Sequence, residues 1–390
     1  MEAMASSLRL LFVSHSFPPP DNPLANIGGM QRVATELDAV LKAHPDMVYH
    51  HLVLRTSWRW THVRVVPFLA QLLAQIPRCV AQHRIDVVLF SSMVTASVAP
   101  VLRRHPQMHT VRLAAIAHGR DVTLPVTAYQ RLVLPRVLQR LDAVLPVSRA
   151  TAQACLDRGM PPERVHIVPN GIDPSRFTQL PDRQQARAAL CQALGLSLPE
   201  GSLLLCSVGR QIRRKGFAWF VDSVLPRLPE CVHYWLAGDG PDAAAIDTAI
   251  ARQGLQQRVR RLGRVSETLL QLLYRASDLF IMPNIPVAGD LEGFGVVLLE
   301  ANLCGTPALA ARLDGIQDVI TEGQNGHLIA SGDAEGFAGW ILHYLQNATA
   351  LQDLSERAST YVLQHFTWEK IGQRYVQTLQ AICQQPPRRT

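Results

Sequence analysis

No run of about 18 consecutive apolar residues occurs in the 390-residue sequence, so no segment is expected to cross a bilayer as a helix. The first apolar run, Leu8 to Val13, is too short for a signal-peptide core, and no small-residue cleavage pattern follows it. The chain is therefore expected in the cytoplasm. No CxxC pair is present. The seven cysteines, Cys79, Cys155, Cys191, Cys206, Cys231, Cys304 and Cys383, are odd in number and far apart, which argues against a disulfide framework and against a zinc site. Short repeats and low-complexity tracts are missing too. Only 18% of residues are charged and 48% are hydrophobic, a balance that excludes intrinsic disorder, a collagen-like chain and a coiled coil. The basic excess is 38 − 31 = +7. So small a bias is compatible with anionic ligands or an anionic membrane surface and selects neither. The arginines are dispersed, so no nucleic acid is expected as a partner.

At roughly 100–200 residues per domain, the length points to two domains. Short apolar runs alternate with helical stretches. In the first half the candidate strands are Leu8–Ser14, His51–Leu54, Asp86–Ser91, Arg112–Ala117, Ala143–Val147 and His166–Val168. Leu69, Leu72, Leu73, Ile76 and Val80 between them carry helical spacing. A second set follows: Leu203–Val208, Val232–Ala237, Val259–Leu262, Leu279–Met282, Ala308–Ala310 and His327–Ile329. Strands alternating with helices imply parallel, doubly wound sheets. The stretch near 174–200, rich in Pro, Gln, Arg and Ala, reads as a linker. The expected domains are 1–185 and 186–369, both Rossmann-like, facing a central cleft. The tail Gln384–Thr390 is expected to fray. In such folds ligands bind at the carboxyl ends of the strands.

The densest signal is Asp290-Leu-Glu292-Gly293-Phe294-Gly295-Val-Val-Leu-Leu-Glu300-Ala-Asn-Leu-Cys-Gly305-Thr-Pro307. Gly293 and Gly295 permit a tight loop, and a helix starting at Val296 would offer its amides to a phosphate. Glu292 and Glu300 could grip hydroxyls on either side of a diphosphate, since a carboxylate accepts two donors. A capped amphipathic helix with two surface glutamates is the structural alternative. After the strand Leu203–Val208 comes Gly209-Arg210-Gln-Ile-Arg-Arg214-Lys215-Gly216, where Arg210 and Lys215 can reach one anion. Gly238-Asp239-Gly240-Pro241-Asp242-Ala243 fits the loose dinucleotide fingerprint. The arginine-rich stretch Arg258–Arg264 lacks the acid that an NAD site needs there.

In the first half, Ile27-Gly28-Gly29-Met30-Gln31-Arg32 follows Pro18-Pro19-Pro20, so a glycine loop leads into a helix. His118, in Ala117-His118-Gly119-Arg120-Asp121, is expected at a strand end, on the edge of the cleft. Asn170-Gly171 is a turn signal. Trp58-Arg59-Trp60-Thr-His62-Val-Arg64 interleaves aromatic and basic residues. Read as a strand, it would put Trp58, Trp60, His62 and Arg64 on one face; with the amphipathic segment after it, it could rest on an anionic membrane surface, while a half-buried strand or loop with a solvated edge is the favoured alternative.

Together these residues resemble the retaining glycosyltransferases of the GT-B fold, specifically glycosyltransferase family 4. The resemblance covers nearly the whole chain. Its most specific element is Glu292 and Glu300, inside EGFGVVLLEANLCGTP, followed by GRQIRRKG, AGDGP and VPNGID. The resemblance implies a nucleotide-diphosphate-sugar donor on the second domain and a hydroxyl acceptor of unknown identity on the first. It implies Arg210 and Lys215 on the diphosphate and Glu300 on the ribose. Glu292 and the backbone of Gly293, Phe294 and Gly295 would take the sugar and phosphate. Gly29 matches the first-domain glycine loop, and His118 the histidine that contacts the donor sugar. Phe366-Thr-Trp368-Glu369-Lys370-Ile371 resembles the closing helix, about 370–390, that crosses back to the first domain. Where the family often has two glycines and then a glutamate, this chain has Leu313-Asp314-Gly315-Ile316-Gln317-Asp318. The Asp-x-Asp motif of metal-dependent transferases is absent, so neither metal nor other cofactor is expected, and Arg210, Lys215, Glu292 and His118 are expected to carry catalysis. The reaction implied is transfer of a hexose from a UDP- or GDP-sugar to a lipid-linked or polysaccharide glycan, in the cytoplasm or at the inner face of the membrane. The rivals are an epimerase or hydrolase of the same fold, an NAD-dependent dehydrogenase resting on the Gly238 loop alone, and a non-catalytic binding protein.

Overall fold

The computed structural model describes residues 7–19 and 29–385. Pro20, Ile27 and Gly28 of the expected glycine loop, the tail 386–390, and the side chains of Trp58 and Arg59 lie outside the described residues. The chain forms two compact units. One comprises 1–171 with 368–390, and the other 172–367. The division at Gly171 precedes the expected boundary, and the stretch read as a linker belongs to the second unit. There the helix Arg183–Leu194, capped by Asp182, buries Ala186 and Leu190.

The first unit holds a five-stranded sheet of β1 (Leu8–Phe17), β2 (Met47–Arg55), β3 (Val87–Phe90), β4 (Arg112–Ala117) and β5 (Ala143–Pro146), in spatial order 2-1-3-4-5. The second holds six strands: β6 (Leu203–Val208), β7 (Val232–Ala237), β8 (Val259–Gly263), β9 (Leu279–Met282), β10 (Ala308–Ala311) and β11 (Gly326–Ile329), in order 11-10-9-6-7-8. All pairings are parallel, with Leu11 opposite Val88 and Cys206 opposite Phe280 at the two centres. Central parallel strands are covered on both faces, which is why they read as unbroken apolar runs. Tyr234, Trp235 and Tyr274 lie in the second core, and Phe12, Phe90 and Tyr375 in the first unit.

Three expectations are corrected. The segment His166–Val168 is not a strand. Val165 forms a single bridge to Val144, and the amides of His166 and Val168 donate to β5. Pro162 and Pro169 bound it too closely for a ladder. β2 starts at Met47, earlier than His51. It is an edge strand of mixed polarity and so lacks a clean apolar signature. Trp58–Arg64 is not a strand but the start of a helix, Trp58–His83. Thr61, Phe68, Leu72, Ile76 and Val80 all turn inward, so the 3.6 period over many turns overrides the local alternation. By length and composition Trp60–His83 is also apolar enough to cross a bilayer, but Leu72 and Ile76 are fully buried in the first unit's core. The C-terminal helix Trp368–Gln384 belongs to the first unit, where Gly372 packs on Val40 of the helix Gly29–Ala43.

Candidate functional site

In the second sheet the chain leaves β6 toward β7 and β8 on one side and occupies β9, β10 and β11 on the other. The β6/β9 junction is thus the topological switch point, where open sheets of this kind bind ligands. The loop after β6 ends in a tight turn, Arg213–Lys215, closed by Gly216 at φ +67°. A Cβ on Gly216 would lie 2.0 Å from the carbonyl oxygen of Pro283, so only glycine lets this loop close on the loop after β9.

That closure brings Arg214 and Lys215 onto Glu292. Lys215 Nζ donates to Glu292 Oε2 at 2.7 Å, Asn284 Nδ2 donates to the same oxygen at 3.0 Å, and Arg214 Nη1 donates to it as well. Arg214 Nε is also 3.3 Å from Asp290 Oδ1. Arg214, Lys215 and Glu292 are each less than 10% exposed. Burial opposes the charge on Glu292, but Lys215 and Arg214 outweigh it and hold the carboxyl at about 2. All three donors meet Oε2. Among the described residues, Oε1 accepts no hydrogen bond, which leaves it as the carboxylate's available acceptor.

Glu300 stands on the helix Val296–Leu303 and is 2% exposed. Tyr274 Oη donates to its Oε2 at 2.9 Å, and Arg176 Nη1 lies 3.6 Å from Oε1. Gly295 begins that helix at φ +88° and offers no side-chain cap. Phe294 is buried, its ring edge-on against Phe366. Arg210 makes no hydrogen bond or ion pair with Glu292. It is exposed, with no ion-pair partner among the described residues.

In the first sheet the switch point lies between β1 and β3. His118 follows β4, and its Nε2 donates to the carbonyl of Ser91 at 2.8 Å. Its Nδ1 makes no hydrogen bond among the described residues. Asp121 accepts the amides of His118 at 2.8 Å and Met93 at 3.1 Å, which ties the two loops together. His15, at the end of β1, lies 3.5 Å from Ser92 Oγ, and burial followed by the nearby His118 lowers its pKa to about 4. Ser91 Oγ donates to Ser14 Oγ at 2.9 Å. Gly29 begins the first long helix, and a Cβ there would meet nothing within 4 Å.

Sequence reasoning missed Arg214, Asn284, His15 and Ser91. For Arg214 the available signal was its adjacency to Lys215 in a three-residue cationic run. His15 and Ser91 interrupt or end apolar strands at their carboxyl ends, which is a weaker sign of the same kind.

Two family models match the chain. That described as Glycosyltransferase Family 4 covers residues 31–176, and that described as Glycosyl transferases group 1 covers 202–347. N-acetyl-alpha-D-glucosaminyl L-malate synthase of Bacillus anthracis is 25% identical over 340 residues, 86% of this chain and 84% of that protein. The GDP-mannose-dependent alpha-(1-6)-phosphatidylinositol monomannoside mannosyltransferase of Mycolicibacterium smegmatis is 25% identical over 386 residues, 95% of this chain and 98% of that one. Among solved structures, Anabaena HepE in complex with UDP superposes with a TM-score of 0.74 at 19% identity, covering 96% of this chain and all of that one. The chain belongs to the group 1, family 4 glycosyltransferases and is an enzyme of the GT-B fold that uses nucleotide sugars.

Proposed function

We propose that the chain moves a hexose, with retention of configuration, from a UDP- or GDP-sugar to a hydroxyl on a lipid-linked or polysaccharide cell-envelope glycan. The observation that carries this is the buried cluster at the β6/β9 switch point, where two cations are already desolvated against one carboxylate. A diphosphate arriving there meets Lys215 and Arg214 at low hydration cost and finds Arg210 exposed on the same loop. Glu292 accepts a sugar hydroxyl through Oε1, and the backbone of Gly293, Phe294 and Gly295 holds sugar and phosphate. Glu300, buried on the helix Val296–Leu303, takes the ribose hydroxyls. From the first unit, Gly29 serves the phosphate and sugar, and His118 the sugar.

In the reaction the bond from the anomeric carbon to the leaving diphosphate breaks as the acceptor oxygen bonds to the same face. The acceptor proton passes to a leaving phosphate oxygen. Arg210 and Lys215 neutralise the charge that develops, so no metal is required. The GDP-mannose dependence of the Mycolicibacterium relative and the UDP bound to HepE support donors with either base. At saturating donor, Lys215→Ala is expected to lower turnover about 10²–10³-fold. Chelation of metal should leave the wild type unchanged, and the product's anomeric proton should keep the donor's configuration by NMR. Near-full turnover in Lys215→Ala would remove the clamp. Release of free sugar or an isomeric nucleotide sugar without acceptor would favour the hydrolase or epimerase.

The acceptor is placed at the inner face of an anionic membrane. Its support is the helix Trp58–His83. No acid occurs between Asp46 and Asp86, and Trp60, Val63 and Val66 stand exposed at spacings of three, with Arg64 beside them. Phosphatidylglycerol vesicles should sediment the wild type at low salt but not the double variant Val63→Ser, Val66→Ser. A wild type that stays in solution rejects this part.

A further inference from the structure

Among the described residues only Arg84 and Asp314 are non-glycine residues at positive φ, and Asp314, at +49°, follows β10 at the edge of the candidate donor site. The left-handed region costs a residue with a Cβ on the order of 1 kcal/mol, and glycine takes it without that cost. What Asp314 gains there is visible in its contacts. Its Oδ2 accepts the backbone N–H of Glu292 at 3.0 Å. The N–H of the next residue, Gly315, donates to the backbone carbonyl of Glu292 at 3.0 Å. A Cβ on Gly315 would lie 2.1 Å from the carbonyl oxygen of Gly293, so the two loops touch backbone to backbone. Both main-chain polar groups of Glu292 are thus held by Asp314 and Gly315, while its side chain is held from the other loop by Lys215, Arg214 and Asn284.

We propose that Asp314 is a positioning residue for the donor site. It fixes the backbone of Glu292 so that the carboxylate keeps Oε2 on the two cations and Oε1 free, and so that the Gly293–Gly295 amides keep one orientation. This rests on the reading of Glu292 as a donor-binding group. Asp314 itself touches neither cation through a hydrogen bond or ion pair. Burial raises its carboxyl above the ordinary value, against the pull of the Glu292 N–H, and acceptance of that N–H is needed in either protonation state.

Glycine and asparagine separate positioning from mere folding. Asp314→Gly suits φ +49° better than aspartate does but removes the acceptor. Asp314→Asn keeps an acceptor oxygen and tolerates the left-handed region. In Asp314→Gly, amide exchange of the segment 290–295 should rise. KM for whichever of UDP-glucose and GDP-mannose the wild type turns over should rise about tenfold, the loss expected of one hydrogen bond. Its kcat should change less than KM, and its Tm should stay at or above the wild-type value. Asp314→Asn should remain within about threefold of wild type in exchange and KM.

The inference is overturned if Asp314→Gly matches the wild type in exchange or in KM, if its losses track a lower Tm, or if asparagine falls as far as glycine. Should the wild type turn over neither sugar, the donor reading fails by itself, and the exchange of 290–295 still decides whether Asp314 holds Glu292.

Discussion

At the switch point of the first sheet, β1 and β3 end in Ser14, His15, Ser16, Ser91 and Ser92, all buried and all neutral near pH 7. At the corresponding point of the second sheet the loops bury Arg214, Lys215 and Glu292 in ion pairs. Both edges arise from the same parallel topology, so the backbone does not dictate the difference. Hydroxyls and imidazoles lose little on desolvation when they hydrogen-bond one another, as Ser91 does with Ser14. Ions lose a great deal and persist only in each other's company. In the proposed function, the first edge faces hydroxyl-rich ligands and the second meets an anion.

The largest expected effect tests whether the second edge depends on that company. Glu292→Ala leaves Lys215 and Arg214 buried without their shared acceptor, with Asp290 as the remaining ion-pair partner of Arg214 among the described residues. A loss of about 3–5 kcal/mol in urea unfolding is expected, the range for breaking a buried pair by removing one partner. The first edge offers the control. Ser91→Ala removes one neutral hydrogen bond and should cost about 1 kcal/mol. Equal losses at the two edges would erase the distinction.

Acid should separate the edges next. His15 is held neutral, with a folded pKa of about 4 against an ordinary 6.5. The unfolded chain takes up that proton first, so stability from His15 is lost as pH falls from 6.5 toward 4. Glu292 is held ionised, with a folded pKa of about 2 against 4.5. Its contribution is complete above 4.5 and is lost between 4.5 and 2. Urea midpoints measured across pH should flatten in the upper window for His15→Asn and in the lower one for Glu292→Gln. Burial also lowers the pKa of His50, His166 and His233, so part of the slope should persist; a wild-type slope between pH 6.5 and 4.5 that is undiminished in His15→Asn would remove His15 from the account.

The same contrast explains how much could be read without coordinates. Arg112–Ala117, Leu203–Val208, Val232–Ala237 and Leu279–Met282 lie where their apolar runs put them, because strands covered on both faces have no polar positions to blur the signal. β2 and the segment at His166 are edge features, and their pairing is carried by backbone groups that every residue shares. In the candidate site, the loops bearing Lys215, Glu292 and His118 and the helix bearing Glu300 were visible from their glycines and their places after strands. Which cation meets Glu292 was not visible. Arg214 and Arg210 are equally basic and four residues apart, and only the closure of the loop at Gly216 buries one and exposes the other. Asp314 stood out as a departure from the family pattern. Its hold on Glu292 depends on a backbone angle that residue identity does not encode.

The smallest expected effect concerns the helices that follow the two edges. After β5 in the first unit, Ser148 caps the helix Arg149–Leu156, its Oγ accepting the N–H of Thr151 at 3.1 Å. After β9 in the second, Gly295 starts the helix Val296–Leu303 with no side-chain acceptor at all. A capped helix end has its orphan amides satisfied by the protein, and an uncapped one presents them outward. Ser148→Ala should therefore cost about 1 kcal/mol of stability, the usual worth of a cap, read as a shift in urea midpoint. It should leave the thermal stabilisation by UDP or GDP unchanged, because in the proposed donor site the amides that meet the phosphate are those around Gly295. If Ser148→Ala instead weakens that stabilisation while costing no stability, the helix after β5 is the one that serves the nucleotide, and the division of labour between the two edges is reversed.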